Sequence, residues 1–196
     1  RTYWTIDTDA HYYFNSPYRP DWADDPRPQG DILVQDGDDF YEVRGFPPAR
    51  HSLLDAHQGY RLWAGTISGD EASADSTSRK NKRRGKNAAR GKSAKMASRC
   101  AKRWDVTIPL TGRAMAKAAN TVYIAGTPVA LGNEVAGYVD AYAGRSGGVL
   151  WAASAEDGQK IAECELVSAP VWDSLAVADS RLYLALKDGS IVCFGE

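Results

Sequence analysis

Gly147–Phe194 reads GGVLWAASAEDGQKIAECELVSAPVWDSLAVADSRLYLALKDGSIVCF, and its alternation of short apolar runs with turn chemistry decides the fold. Val149–Ala155 is an apolar run around Trp151. Glu156-Asp157-Gly158-Gln159 then supplies turn residues with a glycine free to take positive φ, and Lys160–Leu166 resumes as a strand of mixed polarity. Ser174–Ala178 and Arg181–Leu186 flank Asp179-Ser180 as a second hairpin, and Lys187-Asp188-Gly189 turns the chain into Ser190–Phe194. Strands packed this closely along the chain leave no length for a helical crossover, so they pair antiparallel.

A second copy of this pattern lies upstream. Ala114–Gly126, AMAKAANTVYIAG, aligns with Ser174–Leu186, SLAVADSRLYLAL, at a constant offset of 60, matching Ala116 with Ala176, Ala118 with Ala178, Tyr123 with Tyr183 and Ala125 with Ala185. A strand of small residues, a polar two-residue turn and a strand carrying tyrosine recur together, which is how stacked sheets of one design look in sequence.

The stretch from Leu150 to Phe194 resembles the quinoprotein-type, or PQQ-like, β-propeller repeat, in which a hairpin of the form LWALDAATGKxxW is followed by PVVADGxLYVGSxDGxLYAL. Within that superfamily it is most similar to the large secreted PQQ-like repeat proteins of planctomycetes, to which the WDVTIPLTGRAMAKAANTVYIAG lead-in and the RTYW opening also conform. The resemblance covers Trp104 to the end closely and residues 1–67 more loosely. It implies an all-β propeller of antiparallel four-stranded blades in a periplasmic, cell-envelope or secreted protein. One departure stands out. The tryptophan that follows the turn glycine by four residues in the family falls on Ala162, and the family's aspartate before the turn is Ser154, so docking of blade on blade through tryptophan is expected to be weakened or replaced.

Candidate strands run from Tyr3–Ile6 and Tyr12–Phe14 through to Ser190–Phe194, enough for about three blades, whereas a closed propeller takes roughly four to eight. The expectation is therefore the C-terminal part of a larger ring. Its preceding blades would come from an N-terminal segment of the same protein or from an associated chain, and would meet this one around Ser190–Phe194. A chain that opens on Arg1 with no signal-like stretch reads the same way, as a processed or partial product.

Composition sets further bounds. With 43% hydrophobic residues the chain can build a core, and it holds no run of eighteen apolar residues, so no transmembrane helix is expected. Cys100, Cys164 and Cys193 form neither a CxxC nor a CxxCH, which excludes a zinc knuckle and an attached c-type haem. They are expected as small buried thiols, with a Cys164–Cys193 disulfide as the alternative.

Three regions follow. Residues 1–67 form a blade portion with an aromatic, proline-rich loop, in which Tyr12, Tyr13, Tyr18 and Trp22 are the candidate ligand rim; the competing reading is an insertion that packs on itself. Asp21, Asp24 and Asp25 there, and Asp36, Asp38 and Asp39 in the GDILVQDGDDFYEVRGF hairpin, suit solvated turns better than a calcium loop, and no metal site is assigned. Residues 68–102 form a basic insertion. Arg79–Arg103 alone holds twelve Lys or Arg and no acid, leaving twelve basic against 25 acidic residues elsewhere. Such a block repels itself and cannot bury enough apolar surface to order alone. Lys82, Arg83, Arg84 and Lys86 are the candidate contacts to a polyanion, either an acidic protein or an envelope polymer. The tract has no aromatic residue to stack bases, which argues against nucleic acid. Residues 103–196 are the C-terminal blades.

Quinoprotein dehydrogenases with this repeat use calcium, an aspartate base and often a vicinal disulfide, and this chain has no adjacent cysteines. His11, His51 and His57 stand in loops without a nucleophile motif beside them. The reading is therefore a non-catalytic binding or scaffold module with no cofactor and no catalytic residue; the alternatives are part of a quinoprotein-type oxidoreductase and a propeller that binds carbohydrate or envelope polymer.

Overall fold

The computed structural model describes residues 32–44, 60–67, 100–129, 140 and 143–195. These form eleven strands: β1 (Ile32–Asp36), β2 (Asp39–Arg44), β3 (Tyr60–Ile67), β4 (Cys100–Ile108), β5 (Ala114–Ala118), β6 (Thr121–Gly126), β7 (Gly148–Ser154), β8 (Lys160–Leu166), β9 (Pro170–Ala178), β10 (Arg181–Leu186) and β11 (Ile191–Phe194). They make three antiparallel meanders, β1-β2-β3-β4, β5-β6-β7-β8 and the three-stranded β9-β10-β11. The expected all-β, antiparallel class is what the described residues adopt, with two sheets of four strands. Tyr3–Ile6, Tyr12–Phe14 and most of the 68–102 insertion lie outside them.

Each sheet opens on the same hairpin. Asp36 pairs with Asp39, Ala118 with Thr121 and Ala178 with Arg181, so each turn has two residues. Such turns need left-handed backbone, supplied at Gly37 (φ 62°), at Ala119 (φ 46°), and at both Asp179 (φ 48°) and Ser180 (φ 59°). Beyond the turn a tyrosine recurs at one place, Tyr41, Tyr123 and Tyr183, opposite Val34, Ala116 and Ala176. The third strands follow suit. Leu62, Trp63 and Ala64 pair with Val43, Glu42 and Tyr41 as Leu150, Trp151 and Ala152 pair with Ala125, Ile124 and Tyr123. The first sheet thus shares the pairing register of the second.

Side chains alternate between faces along a strand. The back of the first sheet (Ile32, Tyr41, Val43, Leu62, Ala64) packs on the front of the second (Met115, Val122, Ile124, Trp151, Ala153). The back of the second (Ala114, Ala125, Leu150) packs in turn on the front of the third (Leu175, Leu182, Leu184), with Tyr123, Val192 and Phe194 partly buried alongside. The three sheets stack in series, with β1 against β5 and β5 against β9.

The two junctions are fastened differently. At the first, Lys117 pairs with Asp36, and Gly112 admits Val43 so closely that a Cβ there would stand 2.6 Å from the valine. Trp104 of β4 lies 6.1 Å from the Tyr41 ring, donates its indole N–H to the Ala155 carbonyl at 3.1 Å and covers Gly158, where a Cβ would meet the indole at 2.6 Å. Trp104 sits opposite Ala64, and the equivalent place in the second sheet, opposite Ala152, is Ala162. A tryptophan therefore stands at this register place in the first sheet and an alanine in the second.

Three expectations need correction. The basic insertion does not extend to residue 102, because Cys100, Ala101 and Lys102 pair with Ile67, Thr66 and Gly65. Trp104–Ile108 belongs with the first sheet rather than with the C-terminal sheets, since β4 hydrogen-bonds to β3. The cysteines also divide: Cys100 is buried, but Cys164 and Cys193 are exposed, and none of the three is in a disulfide. Their strands lie where too little covers them.

Candidate functional site

The candidate rim residues Tyr12, Tyr13, Tyr18 and Trp22, the candidate polyanion contacts Lys82, Arg83, Arg84 and Lys86, the three histidines and Asp21, Asp24 and Asp25 all lie outside the described residues. Asp36 and Asp39 are described, and both are engaged between elements. Asp36 takes Lys117, while Asp39 accepts from Thr66 at 2.5 Å and pairs with Arg103 at 2.5 Å. Among the described residues no group of three or more His, Cys, Asp or Glu is placed to hold a metal ion, and no helix is long and apolar enough to cross a membrane.

Polar chemistry concentrates on the front of the first sheet. Glu42 and Trp63 are fully buried, and Arg44, beside them, keeps its guanidinium 3.7 Å from the Trp63 ring and 2.5 Å from the Glu42 carboxylate. Lys102 and Arg61 approach the same ring at 4.6 and 5.4 Å, and both pair with Asp105. Cations over an indole face gain from its quadrupole, and desolvation strengthens the attraction. The Trp63 indole N–H itself has no acceptor among the described residues. The second sheet shows why. Trp151 stands opposite Glu163, whose longer side chain accepts the indole N–H at 2.9 Å, whereas Trp63 stands opposite Asp105, which is shorter and taken by two cations.

The hydrogen bond from Lys160 is the main reason that the Glu163 carboxyl is held below its ordinary value, with the Trp151 indole acting in the same direction. A depressed folded value means that the contribution is present above the ordinary carboxylate range and is lost as pH falls through the folded value. Acidification should shift the Trp151 indole N–H resonance, and Glu163→Gln should abolish that titration. A resonance that titrates unchanged in the variant would reject the assignment.

The back of the third sheet is the other feature. Cross-strand pairing sets Ala176, Tyr183 and Cys193 in one row and Ala185 and Ile191 in the next. The same rows on the second sheet are Ala116, Tyr123 and Ala152, then Ala125 and Leu150. On the second sheet Ala125 and Leu150 are buried, Leu150 to 6% exposure, and Ala116 and Ala152 half-buried; on the third, Ala176 and Cys193 are exposed and Ile191, at the place of Leu150, is 72% exposed. The outer strand is missing as well. β4 and β8 close the first two sheets, but β11 has no strand on its far side among the described residues. Where that strand would lie, β8 is exposed from Lys160 to Glu165.

Sequence reading placed the junction with further blades around Ser190–Phe194 but assigned no role to Ala176, Tyr183 or Ala185. The signal that could have found them is the offset of 60, because it matches a covered face to an open one. No family model and no curated protein matches the chain.

Proposed function

We propose that the three sheets are successive blades of a quinoprotein-type β-propeller, part of a larger ring, and that the protein is a non-catalytic binding or scaffold module. One observation carries this reading: the same sheet-on-sheet interface is used twice in series, with first strands side by side, and its third copy is open. A unit that repeats by stacking buries its faces only against neighbours, so a terminal sheet without a polar cap implies further sheets. The buried or half-buried charged groups are engaged with one another, Glu42 with Arg44 along β2, and Asp105 of β4 with Arg61 of β3 and with Lys102.

Catalysis tests it directly. With PQQ, calcium, alcohols or aldoses and an artificial electron acceptor, the chain should reduce dye no faster than a heat-treated control. It should also show no absorbance beyond that of protein. Quinone-dependent reduction well above the control would transfer the reading to an oxidoreductase.

A further inference from the structure

We infer that the back of the third sheet, together with the free edge of β11, is a docking surface for one β-sheet unit from outside the described residues. The unit's facing rows are bulky aliphatics, and its own lead-in strand pairs with Ile191–Phe194. This deepens the propeller reading and rests on it.

The occupant's chemistry follows from the interfaces already formed. The first sheet's back, with Val34, Tyr41, Val43 and Leu62, meets a front of Met115, Val122 and Ile124, and the second sheet's smaller back, with Ala116, Tyr123, Ala125 and Leu150, meets one of Leu175, Leu182 and Leu184, so the front is bulky and aliphatic both times. Small residues on one side leave grooves that branched side chains on the other fill. The open face carries Ala176, Tyr183, Ala185 and Ile191, so the partner that fits is a sheet with such a front. The edge points to the same partner. The chain that leaves β7 turns through Gly158, adds β8 to the second sheet and only then builds the third, so docking a sheet and completing the previous one are a single act. β11 is the third strand of its sheet, and its far edge is where an added strand pairs through the backbone. A second copy of this chain offers no such front. Its first sheet carries Glu42 and Arg44 where the other two carry Ile124 with Gly126 and Leu184 with Leu186, and Phe40, Glu42 and Trp63 are already fully buried there.

Cys193 reports on the surface, being an exposed free thiol in the row of Tyr183. The probe is a lengthened chain in which Gly195 runs directly into a second copy of residues 155–195, with Cys164→Ser and Cys193→Ser in that copy. Its first strand should pair with β11, and its Leu175, Leu182 and Leu184 should cover Tyr183. Maleimide labelling of the original Cys193, mapped by peptide mass, should then slow at least tenfold relative to the parent. Equal rates in the two folded chains overturn the inference. A second measurement covers failure of the lengthened chain to fold. The parent should self-associate without a fixed stoichiometry as concentration rises, and Tyr183→Lys should suppress this. A parent that stays monomeric overturns the inference, and so does a discrete dimer dissolved by Tyr183→Lys, which would make a second copy the occupant. Dye reduction is indifferent to all of these results, so failure of the docking surface and failure of the non-catalytic reading are separable.

Discussion

Arg44→Met is expected to lower stability by about 3–5 kcal/mol, the range for removing one partner of a buried ion pair. The Glu42 carboxylate is fully buried and would lose the guanidinium 2.5 Å away, and Trp63 would lose the cation stacked at 3.7 Å. The double variant Glu42→Leu with Arg44→Leu should behave differently. It copies Leu184 and Leu186, the buried residues at the equivalent places of the third sheet, and replacing a buried ion pair with apolar residues is often neutral or stabilising. It should fall within about 1 kcal/mol of the parent or exceed it, judged by urea unfolding midpoints at constant slope. A double variant as unstable as Arg44→Met would mean that the charges themselves are required and that the three fronts are not equivalent in packing.

That comparison gives the stack a direction. The first sheet's front is charged and closed, while the third sheet's back is small, aromatic and open. The difference was only partly legible in the sequence. Turn chemistry placed the strands well because two-residue hairpins depend on local backbone, and Asp36-Gly37-Asp38 or Asp179-Ser180 signal it without help from the rest of the fold. Residues 1–67 read as a blade portion, but their residue-by-residue match to the other sheets escaped because loop lengths shift the register. Tyr41 and Tyr123 stand 82 residues apart, whereas Leu62 and Leu150 stand 88 apart, and the basic tract then separates β3 from β4. The recurrence of Leu-Trp-Ala at 62–64 and 150–152 was the available signal.

The open face was illegible for a deeper reason. Ala116, Tyr123 and Ala125 are matched by Ala176, Tyr183 and Ala185, so the covered and the uncovered copies have nearly the same sequence. Burial there is a property of the neighbour. The exposed thiols follow from the same fact: Cys193 stands where the second sheet has Ala152, and Cys164 lies on β8 beyond the reach of a three-stranded third sheet.

Trp104 supplies the second large effect. Trp104→Ala should cost about 2–4 kcal/mol, somewhat under the range for a fully buried tryptophan because Trp104 is half-buried. The loss has three sources: the ring's contact with Tyr41, its cover over Gly158 and the hydrogen bond to the Ala155 carbonyl. The last two cross from the first sheet to the turn of the second, so the damage should localise there. Hydrogen exchange should rise at Ala155, whose amide is bonded to the Asn120 carbonyl, and at Gly158, bonded to the Ser154 carbonyl, before it rises in β10. Ala162→Trp is the matched control, because it builds the same residue at the same register place of the second sheet. A tryptophan there has no turn to meet, since the third sheet ends on β11, and stability should change by no more than about 0.5 kcal/mol. In the chain lengthened by residues 155–195 the control should become a gain, because the added copy brings its own Ala155 and Gly158 to residue 162, as Ala155 and Gly158 meet Trp104 at the first junction. A tryptophan at 162 that stabilises the parent chain as much as the lengthened one would show that Trp104 acts by burying its own surface. It would then have no part in fastening one sheet to the next.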